Sequence, residues 1–245
     1  MSRAVGVSLV APVYNEEDNI VELVHQVEAA MDPSGLNWEL ILVDDGSTDG
    51  SWANIQACCD SCDSLRGLRL ARNSGQTAAI VAGFRVARGG FIVTLDADLQ
   101  NDPGDIPGLL HELKKQNADG AIGIRQDRND TWVRRWSSLI ANSYRRARTD
   151  DDTIDTGCSL KVFRAEFLAD FPNFAGMHRY MPALARLNGA TNILQVPVKH
   201  RPRLHGVSKY GVWNRLWVGL ADVRTVNWMQ RRHRHITISE ECGNG

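Results

Sequence analysis

An apolar run from Phe91 to Leu95 ends in two carboxylates one residue apart, Asp96 and Asp98. The run is β-branched and bounded by Gly89-Gly90, which predicts a buried strand. Ligands of open α/β sheets sit outside the carboxyl ends of the strands, so acids placed there meet something bound. Two carboxylates in a tight turn can share one hard divalent cation, Mg2+ or Mn2+. Such an ion usually takes its remaining ligands from substrate phosphates. Taken alone, D-x-D also recurs by chance, and a solvated strand-to-loop turn explains it as well.

The flanking chain repeats the same strand-to-loop design. Gly6–Val13 predicts a first strand ending in Pro12-Val13-Tyr14-Asn15-Glu16. A helix follows, with Ile20, Leu23, Val24 and Val27 on its apolar stripe. Leu40–Val43 predicts a second strand, running into Asp44-Asp45-Gly46-Ser47-Thr48-Asp49-Gly50 and a helix from Ser51 to about Cys59. Leu65–Leu70 is a third strand, Gly75–Val86 a helix, and Phe91–Leu95 the fourth strand. Beyond the acid pair the pattern predicts a helix over Ile106–Lys115, a strand over Gly120–Ile124 and a helix over Trp132–Arg148. A strand over Cys158–Phe163, a helix over Arg179–Leu187, a strand over Thr191–Val198 and a last helix complete it. Strands alternating with helices predict an α/β domain with a mostly parallel sheet and right-handed crossovers. In such a sheet, the loops after strands one, two and four reach the same edge.

Composition narrows the function. The 245 residues suit one α/β domain with or without a tail, and the net charge of -1 gives no general attraction to nucleic acid. From Lys199 to His235 the charge is one-sided: Lys199, Arg201, Arg203, Lys209, Arg215, Arg224, Arg231, Arg232 and Arg234 face the single acid Asp222. An anionic partner is expected there. The five cysteines, an odd number with no leader peptide before them, read as reduced thiols of a cytoplasmic protein. Cys59-x-x-Cys62 has metal or redox spacing but no second Cys/His pair nearby, so a surface helix end is the simpler reading. No run approaches the roughly 18 apolar residues of a spanning helix, which predicts a soluble or membrane-peripheral chain. Neither a Gly-x-Gly-x-x-Gly turn nor a Gly-x4-Gly-Lys-Ser/Thr loop occurs. Dinucleotide hydride chemistry and P-loop hydrolysis are thereby disfavoured.

PVYNE, VDDGSTDGS and DADLQ, in that order and spacing, resemble the inverting glycosyltransferases of family 2, which have the GT-A fold, a Rossmann-like sheet flanked by helices. With Gly123-x-Arg125 and Arg203-x-x-Gly206-x-Ser208-Lys209 added, the chain resembles the polyprenol-phosphate sugar transferases, dolichol-phosphate mannose synthase and its undecaprenyl-phosphate relatives. The resemblance runs from about Val7 to Lys209. It implies that Pro12, Tyr14 and Glu16 hold the base and ribose of a nucleotide-diphosphate sugar, with Val43 and Asp45 at the base. It implies that Asp96, Ala97, Asp98 and Gln100 form the metal and diphosphate turn, with Asp96, Asp98 and Gln100 nearest the ion. It further implies that Arg203 and Lys209 close over the donor phosphates, and that Arg125 with Arg134 or Arg135 meets the phosphate of a polyprenyl acceptor, dolichyl or undecaprenyl phosphate, with mannose or another hexose as the sugar.

The chemistry is coherent without the family. Charge grows on a departing nucleoside diphosphate, and a cation with Arg and Lys stabilises it in the transition state. Guanidinium pairs grip phosphate in bidentate fashion. A lipid phosphate is already ionised, so its attack needs no strong base. A sugar hydroxyl acceptor would need one, and Asp155 is the candidate, with a turn-capping Asp as the plain alternative. His205 reads as a loop hydrogen-bonder or a further ligand. Trp213, Leu216, Trp217 and Leu220 fall on one face of the last helix beside Arg215 and Arg224. They suit an anionic membrane surface, a partner subunit or the domain's own flank. The expected organisation is a catalytic domain, residues 1–210, and a basic amphipathic helical tail, 211–245, peripheral to the cytoplasmic face of a membrane. The rival readings are transfer to a sugar hydroxyl in polysaccharide or cell-wall assembly, a non-catalytic nucleotide-sugar-binding protein, and a nucleotidyltransferase. The last would open on a glycine-rich basic loop where this chain has PVYNE.

Overall fold

The computed structural model describes residues 5–126, 145–149, 151–202 and 212–233, with side chains of the last stretch from residue 221 onward. Arg134, Arg135, Arg203, His205 and Lys209 lie outside the described residues, as do the side chains of Trp213, Arg215, Leu216, Trp217 and Leu220.

The strands are β1 (Val7–Val13), β2 (Trp38–Asp44), β3 (Leu65–Arg69), β4 (Phe91–Thr94), β5 (Gly120–Arg125), β6 (Lys161–Arg164) and β7 (Ile193–Val198). They form one sheet in the order β3-β2-β1-β4-β6-β5-β7. The helices are α1 (Ile20–Met31), α2 (Ser51–Ser61), α3 (Gln76–Val86), α4 (Ile106–Lys115), α5 (Met181–Leu187) and α6 (Val212–Arg232). Residues 145–149 are helical, inside the helix expected over Trp132–Arg148.

Both faces of the sheet are covered, which is why β1 and β2 read as continuous apolar runs rather than alternating ones. Successive side chains nonetheless part to opposite faces. Leu9, Leu40 and Leu42 enter a core with Leu23 and Val27 of α1, Ile55 of α2 and Leu109 of α4. Val10, Ile41 and Val43 enter a second core with Ile80 and Phe84 of α3, Leu184 of α5 and Val226 of α6. The docked part of α6 buries Val223 and Val226 completely or nearly so, while Trp228 is 60% exposed.

The parallel expectation holds for β1 with β2 and β4, β2 with β3, and β5 with β7. β6 departs from it, running antiparallel between β4 and β5. It starts at Lys161, not Cys158, because Cys158 is held in a turn, its N–H donating to the Asp155 carbonyl at 3.3 Å. Likewise α5 starts at Met181, after a short 3-10 turn over Met177–Arg179 and with Pro182 in its first turn. Because β6 is reversed, the carboxyl ends of β1, β2, β4, β5 and β7 and the amino end of β6 share one edge. The order turns back at β1, with β2 and β3 on one side and β4 on the other, so a crevice opens there between β1 and β4.

Candidate active site

The first two loops at that edge are fastened to each other. Asn15 sits in the left-handed region at φ 52°. Its N–H donates to Ser47 Oγ at 2.9 Å, and its side-chain oxygen accepts from the Thr48 N–H at 2.8 Å. The Glu16 N–H donates to Ser51 Oγ at 2.9 Å, and Glu17 Oε2 accepts from the Gly50 N–H at 2.6 Å. The Glu16 carboxylate accepts from Asn19 Nδ2 at 2.7 Å. Tyr14 and Glu16 are thus set at the crevice on a rigid turn. Pro12 lies opposite Val43 in the ladder. The Val43 side chain is wholly buried and belongs to the core.

Asp45 is 3% exposed and ties this pair of loops to a third segment. Its two oxygens accept from the N–H groups of Ser74 and Gly75 at 2.7 and 2.8 Å. Gly46, at φ 71°, lets the chains come that close: a Cβ there would stand 2.6 Å from the Asn73 nitrogen. Asp44 is buried beneath, with Arg69 Nε 3.0 Å from its Oδ2.

The turn after β4 alternates in burial. Leu95, Ala97 and Leu99 pack into the core and anchor it, and Leu99 holds a left-handed φ of 59°. That conformation is strained for a leucine, and such strain gathers at functional turns. Asp96 Oδ1 accepts from Gln76 Nε2 at 2.8 Å, and Asp98 Oδ1 accepts from the Gln100 N–H at 3.2 Å. Both carboxylates are oriented before any ligand arrives. They are hard oxygen donors, and no cluster of three or more His, Cys, Asp or Glu suited to a metal occurs among the described residues. Two carboxylates fit an Mg2+ or Mn2+ ion that takes its other oxygens from a diphosphate and water. The Gln100 carbonyl accepts from the Arg201 N–H at 2.8 Å, and Arg201 pairs with Asp102 at 2.6 Å. The segment leading to Arg203 therefore leaves β7 fastened to the acidic turn.

Arg125 ends β5 at the same edge. Its Nε and Nη2 donate to the two oxygens of Asp155 at 2.7 and 2.8 Å. A Cβ on Gly157 would come 2.9 Å from that Nη2, so the glycine gives the guanidinium its room. Asp155 thus holds Arg125 in a bidentate fork, with both of its oxygens engaged.

Three participants are not evident from sequence motifs. Lys161 is 2% exposed, and its ammonium donates to the Cys158 carbonyl. Burial pushes its pKa below the ordinary lysine value, partly offset by Cys158 and the carboxylates of Asp96 and Asp155. Gln76, at the first position of α3, orients Asp96. His178 faces Thr77 Oγ1 across 3.1 Å, and burial, with Lys161 and Arg179 nearby, pushes its pKa down to about 3. The polar turn before α3 was legible as a helix start, but only tertiary folding places it against two acidic loops. Of the cysteines, Cys58, Cys59, Cys62 and Cys158 are free thiols, and burial raises Cys62 to about 11. Burial likewise raises Cys58, Cys59 and Cys158, which favours the protonated thiol at neutral pH.

A switch-point crevice lined by three acid-bearing loops, closed by a mixed sheet, defines a GT-A domain. Glucosyl-3-phosphoglycerate synthase from Mycobacterium tuberculosis, solved with Mn2+, uridine diphosphate and phosphoglyceric acid, superposes at a TM-score of 0.70 and 19% identity, over 94% of this chain and 80% of that one. S. aureus TarS in complex with UDP-GlcNAc superposes at 0.64 and 18% identity, over 90% and 66%. The chain belongs to glycosyl transferase family 2, whose family model matches residues 8–171. It is 40% identical to dodecaprenyl-phosphate galacturonate synthase of Rhizobium johnstonii over 94% of its own length and 68% of that protein's. It is 40% identical to undecaprenyl-phosphate 4-deoxy-4-formamido-L-arabinose transferase of Edwardsiella ictaluri over 84% and 63%. The chain thus spans about two thirds of the length of these relatives. No helix among the described residues is long and apolar enough to cross a membrane.

Proposed function

We propose that the chain transfers a hexose or related sugar, with inversion, from a nucleotide-diphosphate donor to a polyprenyl phosphate at the cytoplasmic face of a membrane. The observation that carries this reading is the gathering of Asp96, Asp98 and the Arg125–Asp155 fork on one sheet edge, at a switch point. The names of the two relatives support a polyprenyl-phosphate acceptor, and the neighbour crystallised with Mn2+ and uridine diphosphate supports a divalent metal.

Tyr14, Glu16 and Asp45 bound the nucleoside end of the crevice. Ala97 and Gln100 shape the turn through the backbone while Asp96 and Asp98 face the diphosphate. A divalent ion held by Asp96 and Asp98 would neutralise charge growing on the departing nucleoside diphosphate. Arg203 and Lys209 are assigned to the same phosphates from above. Arg125, held by Asp155, takes the acceptor phosphate together with Arg134 or Arg135. The acceptor oxygen is already anionic, so attack on the anomeric carbon needs no base. Asp155 acts here as the positioning partner of Arg125.

The test is a donor-by-acceptor assay with Mg2+ or Mn2+. GDP-mannose, UDP-glucose, UDP-galacturonic acid and UDP-linked amino sugars are each offered with and without a polyprenyl phosphate. Product that requires the lipid and disappears with chelator is expected. Turnover onto sugar hydroxyls without lipid, abolished by Asp155→Asn, would replace this reading.

A further inference from the structure

Asn101 directly follows the acidic turn and has no part in the site described above. It is 5% exposed. Its Oδ1 accepts from Ser159 Oγ at 2.8 Å, and its Nδ2 donates to Cys158 Sγ at 3.8 Å. Its backbone pairs antiparallel with His200, in the segment that leads to Arg203. A single residue thereby joins the turn that carries Asp96 and Asp98, the turn over 155–159 and the root of the later basic segment.

The turn over 155–159 is stiff. The Cys158 N–H donates to the Asp155 carbonyl at 3.3 Å, and the Ser159 carbonyl accepts from Thr94 Oγ1 at 2.6 Å. Cys158 is wholly buried. A Cβ on Gly123 would stand 2.9 Å from its Sγ, so the glycine shortly before Arg125 makes room for the thiol. Ser159 ends the turn that Asp155 begins, and both Asp155 oxygens hold Arg125. Contacts therefore run from the acid pair through Asn101 and Ser159 to the arginine fork. A buried amide is costly to leave unpaired, so these bonds favour one arrangement of the two turns.

We propose that Asn101 is a positioning residue that fixes the spacing between the acid pair and the Arg125–Asp155 fork, and so decides whether the donor's sugar passes to the acceptor phosphate or to water. The proposal rests on the transferase reading and deepens it. In transfer, the bond from the anomeric carbon to the diphosphate oxygen breaks as the acceptor phosphate oxygen bonds to that carbon. The electron pair leaves with the nucleoside diphosphate. In hydrolysis a water oxygen forms the new bond and gives one proton to solvent, and free sugar is released. Transfer needs the acceptor oxygen held about 3–3.5 Å from the carbon and in line, and a misplacement of about 1 Å costs roughly 100-fold. Water is small and refills any gap. Loosening the Asn101 joint therefore slows transfer far more than hydrolysis.

The experiment uses the full chain and three substitutions. Asn101→Ala removes the amide, Ser159→Ala removes the hydroxyl with little change of volume, and Ser159→Thr keeps a hydroxyl. Free and lipid-linked sugar are counted in the same reaction. In N101A and S159A, transfer to polyprenyl phosphate should fall roughly tenfold or more while donor hydrolysis holds, so the ratio of free to transferred sugar rises by the same factor. S159T should restore the wild-type ratio, and N101A/S159A should be no worse than N101A, because the two share one bond. Calorimetry should find the affinity for nucleoside diphosphate with Mn2+ unchanged. A second readout needs no turnover: Mn2+ enhances the phosphorus nuclear relaxation of a bound short-chain prenyl phosphate, steeply with proximity. N101A and S159A should show weaker enhancement than wild type. Parallel loss of transfer and hydrolysis, an unchanged product ratio, or equal relaxation in wild type and variants would overturn the proposal. Absence of any transfer by the wild type would instead remove the transferase reading, and the relaxation measurement would still decide whether Asn101 sets the spacing.

Discussion

Lys161 places a buried ammonium among the carboxylates of Asp96 and Asp155. Removing one member of a buried charge cluster leaves the others uncompensated, which typically costs about 3–5 kcal/mol. Lys161→Met is therefore expected to lower the melting temperature, and turnover of the folded enzyme to fall by roughly 10- to 100-fold, as when a partner that orients metal ligands is lost. A lower melting temperature with unchanged turnover of the folded enzyme would reduce Lys161 to a packing residue. Asp98→Ala should lose roughly 100-fold or more in rate, and near-normal turnover in metal-free buffer would overturn the assignment of the acid pair. His178 gives a pH signature. Its folded pKa lies below its ordinary 6.5, so the unfolded chain takes up a proton that the folded chain refuses. Stability from this group is complete above pH 6.5 and falls as pH drops toward 3, by up to about 1.4 kcal/mol per pH unit. Denaturation between pH 4 and pH 7 should show a flatter acid limb for His178→Gln. The acids were legible because each follows an apolar run at once. Lys161 was not, because a lysine in a short alternating strand reads as facing solvent until its pairing with Thr94 sets it in the middle of the sheet.

At the scale of elements, the end of the crevice assigned above to the donor consists of three loops that hold one another. Asp45, Gly46 and the Ser74-Gly75 turn form its tightest joint. Gly46→Ala combines a left-handed backbone, costing about 1–2 kcal/mol for other residues, with a Cβ driven into the backbone of Arg72 and Asn73. It should lower the thermal midpoint and weaken nucleoside diphosphate binding, measured by calorimetry; unchanged binding would separate the joint from the site. The strand-to-loop units could be read locally, since alternation of period and turn residues marks each one. The place of β6 could not, because nothing local states that a short strand returns antiparallel between β4 and β5. The Arg125–Asp155 fork was half legible for the same reason: both residues were visible, their pairing was not.

On the scale of the whole molecule, one sheet separates two cores, and the described second half of α6 completes one of them. A division at residues 210 and 211 would have the helix melt alone; its burial of Val226 argues for a shared transition. Far-UV and tryptophan-fluorescence unfolding curves should coincide, and Val226→Ala should lower stability by about 2 kcal/mol in both. An earlier fluorescence transition would restore the helix as a separate unit. The reversed β6 has a consequence for how such a molecule diversifies. Everything assigned to the donor lies in one continuous stretch up to Gln100, apart from the later closing pair. The acceptor's arginine and its partner flank a long excursion between β5 and β6 that leaves from, and returns to, the same edge. That excursion can lengthen, shorten or be exchanged without shifting the register of any strand. On the proposed transferase reading, a new acceptor would be acquired by inheritance of that single interchangeable segment while the donor half is kept intact.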